Sequence, residues 1–150
     1  MSDSEAASAA QTGRQTTQQL VRNELRRRLA EEALTAAAEQ VEALLREAAL
    51  ELRPFPPFPG AFFTMGVEVE PDGVRDKNIG CVIVTEEGAL RELQLSFDDE
   101  GPAVFLGAND PVSMRDETLA ELEDVSAQDR LTLAMNGLDA VSDLLENQPQ

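Results

Sequence analysis

Histidine, tryptophan and tyrosine are absent from this chain, and cysteine and lysine occur once each. Without histidine the chain lacks the commonest general base near neutral pH and the commonest metal ligand. Ser-His-Asp and Cys-His catalysis are therefore excluded for this chain alone. The lone cysteine, Cys81, has no partner for an internal disulfide and cannot build a multi-thiolate metal centre. Stacking of bases or sugars would rest on six phenylalanines. No run of about 18 apolar residues occurs, so no membrane-spanning helix is expected. The opening residues, Met1-Ser2-Asp3-Ser4-Glu5-Ala6, carry neither the basic nor the apolar region of a secretory signal, and a cytoplasmic location is the expectation.

What the chain has in excess is acid. The net charge is −17, and it is unevenly spread. Residues 1–53 hold nine acids and seven bases, a net of −2, while residues 54–150 hold twenty acids and five bases, a net of −15. A field of that sign repels phosphate backbones, so nucleic acid is not expected as a partner. Much acid, a single lysine and abundant alanine make the composition familiar from proteins of salt-in halophiles with GC-rich genomes, where salt screens the self-repulsion. An ordinary acidic protein of a GC-rich genome has the same balance.

The length of 150 residues suits one domain. Residues 1–13 are rich in Ser, Ala, Gln and Thr without periodicity and read as a disordered tail. Residues 14–53 read as a long helix, with Thr16 as N-cap and Gln19 as its capping-box partner. From Leu20 to Leu52 there is no Gly or Pro, and an apolar stripe runs Val21, Leu25, Leu29, Ala33, Ala36/Ala37, Val41, Leu44/Leu45, Ala48 and Leu52. Arg27–Glu31, Arg28–Glu32 and Glu42–Arg46 have the spacing of helical ion pairs. A helix over residues 20–52 would measure on the order of 50 Å, against a radius of gyration of about 15 Å for a domain of this size. Either it is broken or part of it projects.

The connector 54–60 carries four prolines and is extended. Residues 61–107 read as a four-stranded antiparallel meander. The expected strands are 61–70 (Phe63, Met65, Val67 and Val69 inward), 79–85, 89–97 (Leu93, Leu95 and Phe97 inward) and 103–106. Two helices are expected over 113–147, a short one at 116–123 and a longer one that Ser126 and Asp129 begin in an N-cap pattern close to a capping box and that runs to about Glu146, with Gly137 as its weak point. The fold class is α+β, with the long N-terminal helix, the meander and two C-terminal helices in that order, all in one domain over 14–150.

No catalytic set, metal-ligand set or cofactor motif is found, and none is assigned. Cys81, on the central strand, reads as a small buried hydrophobe. Glu68 and Glu92 are the nearest approach to paired carboxylates, but nothing indicates the desolvation that acid–base work requires. The acidic run 98–100 with Asp110, Asp116 and Glu117 matches no calcium loop. The proline-rich segment reads as a connector whose phenylalanines cover a core edge rather than as a ligand for an aromatic groove.

The feature that points to function is the first half of the long helix. Val21, Leu25 and Leu29 form a narrow apolar stripe among arginines, of which Arg26 and Arg28 are part of the candidate surface. Positive charge near a helix N-terminus opposes the helix dipole, a small cost more readily borne if the arginines meet something acidic. The reading is a non-enzymatic interaction or assembly module that self-associates or docks a protein partner through these five residues. The alternatives are a His-free carboxylate enzyme and an acidic mimic of nucleic acid that occupies a basic partner.

Overall fold

The computed structural model describes residues 2–97 and 115–148. Among them are two helices and a four-stranded antiparallel sheet, in the order α1 (Ser2–Glu51), β1 (Val67–Glu68), β2 (Cys81–Val84), β3 (Leu90–Phe97), β4 (Arg115–Ala120) and α2 (Ala127–Glu146). The strands lie side by side in chain order, each antiparallel to the next. The α+β class and the meander agree with the sequence reading.

Helix α1 is unbroken over 50 residues, about 75 Å at 1.5 Å per residue. It begins at Ser2 rather than near Thr16, so the segment read as a disordered tail is helical from Ser2 onward. Alanine, serine, glutamate and glutamine without proline give the backbone no reason to stop there. From residue 16 onward burial is confined to the C-terminal part: Ala38, Leu45, Ala49 and Leu52 recur on one face and enter the core. The helix ends at the prolines. The Arg53 guanidinium donates to the carbonyls of Ala49 and Leu52 at 3.0 and 2.7 Å, and Phe55 tucks into the core.

The first expected strand is mostly not a strand. Phe58 donates to the Thr64 carbonyl and Gly66 to the Pro56 carbonyl, so residues 56–66 fold back on themselves. Val67 and Val69 are buried as expected, but Phe63 and Met65 are exposed. Between β2 and β3 the tight turn at Gly88 takes a positive φ of 83°. A Cβ there would lie 2.5 Å from the Arg46 Cα, so this turn fits against α1 only as glycine.

The register of β2 with β3 puts Val84 opposite Leu90 and Cys81 opposite Leu93. Side chains alternate across a sheet, so Val82, Val84 and Leu90 face the helices, whereas Ile83, Leu93 and Leu95 face away. The inward direction expected for Leu93 and Leu95 is thus reversed. Leu93 is still buried, and Leu95 is exposed. The side chain of Phe97 lies outside the described part of the structure.

The short helix expected at 116–123 is corrected by the structure. Residues 115–120 form β4, paired with β3 from Glu92–Ala120 to Phe97–Arg115. An isolated eight-residue helix is marginal, whereas the open edge of β3 offers a ladder of unpaired backbone groups. The expected strand 103–106 and the acidic run 98–110 lie outside the described residues.

Helix α2 packs across the C-terminal half of α1 and the inner face of the sheet, closing a core that contains Leu45, Val84, Leu90, Leu133 and Val141. Ser126 caps it, its hydroxyl accepting from the Asp129 amide at 3.1 Å. Gly137 sits where three elements converge. A Cβ there would be 3.1 Å from Val84 and 3.5 Å from Leu45, so the residue that looked like a weak point allows close packing instead.

Candidate functional site

An α-helix advances about 100° per residue, so a stripe built on four-residue steps rotates by about 40° at each step. The stripe Val21, Leu25, Leu29, Ala33, Ala37, Val41, Leu45 therefore winds around α1 instead of following one side. Leu45 ends in the core, while Val21, 24 residues earlier, points well away from it. The structure places Val21, Leu25 and Leu29 on an outward face, 64, 57 and 56% exposed. Arg26 flanks this face on one side and Arg28 on the other. All five candidate residues share the part of α1 that extends beyond the folded body, where residues 16–33 touch neither the sheet nor α2 closely enough to be buried.

The arginines of this segment are not equivalent. Arg27 pairs with Glu24 at 2.7 Å and with Glu31 at 3.5 Å, and Arg28 reaches Glu24 at 3.4 Å. The hydrogen bond from Arg27 holds the Glu24 carboxyl below its ordinary value. Arg22 and Arg26 make no ion pair among the described residues. Glu42 does not pair with Arg46 as its spacing suggested. It takes a two-point contact from Arg130 of α2, at 2.5 and 2.7 Å, which ties the helices together.

The other candidates separate in space. Glu68 and Glu92 lie on β1 and β3 with β2 between them, and alternation sets them on opposite sheet faces. Cys81 is exposed rather than buried, because the first residue of β2 faces away from the helices. Partial desolvation and the nearby carboxylates of Glu68 and Glu92 push its thiol up, the wrong direction for a nucleophile. Among the described residues no three carboxylate or thiol groups gather to hold a metal ion. Glu117 is committed to structure. Its carboxylate accepts the amides of Phe62 and Phe63 and the Thr64 hydroxyl, pinning the folded-back loop to β4.

One buried charge was legible only as a cap. Asp129 looked like the partner of Ser126 in a capping box, but its carboxylate instead accepts the amides of Arg75 and Asp76 at 2.8 and 3.1 Å. The Arg75 hydrogen bond outweighs desolvation and holds the carboxyl below its usual range. This anchors the β1–β2 connection to the start of α2.

Of the clefts that open on the body, two stand out in volume. One, of about 630 Å3, lies between Phe63, Met65, Glu87, Glu117 and Leu119. The other, of about 560 Å3, lies between Arg46, Arg91, Glu121 and Arg130. Glu86 and Asp116 also line the first, and no cysteine lines either. No described helix is long and apolar enough to cross a membrane. Compared with known proteins, the chain matches no family model, no curated protein sequence and no solved structure.

Proposed function

We propose that this protein is a non-enzymatic assembly module that self-associates through the outward face of α1. The observation that carries the reading is the exposure of Val21, Leu25 and Leu29 on a helix running far beyond the body it belongs to. A helix of this length in water is held mainly by packing, and this segment is not buried against any of the described residues. The arginines beside the stripe and the acidic remainder of the molecule favour a partner with the same charge division, which a second copy has. A cytoplasmic place for the module is supported by the single cysteine, which leaves the chain without an internal disulfide.

The test is light scattering on the full chain and on a Leu25→Glu/Leu29→Glu variant, with unfolding followed in parallel. The reading expects the native chain above its monomer mass of 16.3 kDa. The variant should return to that mass with its folded body intact. A native chain that stays at monomer mass throughout a concentration series removes it.

A further inference from the structure

Resting on the reading of α1 as a self-association helix, we infer that its occupant is a second copy of α1, antiparallel, in one register centred between Ala36 and Ala37. The inference comes from a mirror symmetry in the exposed side chains. Arg22, Arg26 and Leu29 lie on one half of the helix, and Leu44, Glu47 and Glu51 on the other. Taken as 22 with 51, 26 with 47 and 29 with 44, each pair of residue numbers sums to 73. A single antiparallel register therefore sets both arginines against glutamates and leucine against leucine, and the two-fold axis repeats each contact.

The six residues also share a side. At about 100° per residue they fall within roughly 60° of one another around the helix. That sector lies on the far side from Ala38, Leu45, Ala49 and Leu52, which face the core. All six are exposed, Leu29 by 56% and Leu44 by 52%. None of the four charged residues makes an ion pair among the described residues. Where the axis would pass, Ala36 faces Ala37, and Ala33 leaves room for Gln40 of the second copy, since 33 and 40 also sum to 73.

Charge selects the direction. Residues 16–28 hold four arginines and one glutamate, a net of +3, while residues 29–51 hold six glutamates and one arginine, a net of −5. A parallel pair would set each segment against itself, with Arg26 on Arg26 and Glu47 on Glu47. An antiparallel pair sets opposite signs together along 30 residues, about 45 Å of helix. Glu32 and Glu39 stand roughly 90° or more around from the seam, at its rim, where water screens them; Val21 shares that rim, so of the apolar stripe Leu29 enters the seam and Leu25 borders it. Each folded body lies on the face of α1 turned away from the partner helix, so both copies can pair without displacing their sheets.

The test uses the full chain with Cys81 replaced by serine, carrying either Leu29→Cys or Leu44→Cys. Under mild oxidation the mixture should give a covalent dimer and neither variant alone should. Two copies of residue 29 lie about 22 Å apart in this register, beyond the reach of a disulfide. Separately, Arg26→Glu should raise the dimer dissociation constant about tenfold, and adding Glu47→Arg should restore it to within about threefold, as the pair reforms with reversed sign. A dimer that cross-links through Leu29→Cys alone overturns the antiparallel register and leaves self-association standing. A dimer whose mixed variants give no cross-link, or whose charge swap gives no recovery, overturns it as well. A chain of monomer mass removes both.

Discussion

Gly88, Asp129 and Cys81 each hold a position whose chemistry can be tested alone. Gly88 combines a positive φ with a backbone neighbour, so Gly88→Ala strains the turn and pushes it from α1. A loss of about 2 kcal/mol or more is expected in urea unfolding, and an unchanged midpoint would contradict the close contact. Asp129 accepts two amides inside the protein, and Asp129→Asn should cost about 1–3 kcal/mol because those donors lose a charged acceptor. Its carboxyl is depressed in the folded state, so its contribution is complete above the unfolded value of about 3.9 and is lost as pH falls through the lower folded value. An acid titration should show the native chain losing stability over that window and the Asn variant losing less. Cys81 should modify fully under native conditions but more slowly than a free thiol, since it is exposed with a raised pKa.

The elements divide the long helix into a part that holds the body together and a part that does not. Leu45→Ala should cost about 2–5 kcal/mol because it leaves a cavity between α1, α2 and the sheet. Leu29→Ala should change the unfolding of the dilute monomer by less than about 0.5 kcal/mol. Denaturation of the two variants at low concentration checks the contrast. Much of this architecture was legible in the sequence. The absence of Gly and Pro over 20–52 gave the helix, the Glu86-Glu87-Gly88 turn gave the central hairpin, and Ser126 gave the start of α2. The strand at 115–120 was not legible, because Arg-Asp-Glu-Thr-Leu-Ala has helix-forming residues and no alternation. Its state comes from pairing with β3, a contact that local propensity does not contain. The inward face of β3 was misread because Leu93 and Leu95 dominate its pattern, while Leu90, paired with Val84, sets which side meets the helices. The five candidate residues were found by their apolar spacing and share the exposed half of α1. The face proposed to pair 22 with 51, 26 with 47 and 29 with 44 is not legible in apolar spacing, because four of its six residues are charged.

For the whole molecule, the division of charge bears on stability and on the proposed association. A net charge of −17 on 150 residues opposes folding by self-repulsion. Raising salt toward about 1 M shortens the screening length from roughly 10 to 3 Å. The thermal midpoint of the dilute chain should then rise by about 3–8 °C, the shift of 1–2 kcal/mol for a domain of this size. A midpoint that stays level would indicate that the acids are too far apart to matter. The proposed assembly would answer to the same charges at a different place. The most direct test is the mass of the full chain in solution across a concentration series, in low and in high salt. A two-chain species of twice 16.3 kDa that dissociates on dilution is the predicted result. A single species of 16.3 kDa at every concentration and both salt levels would contradict the account.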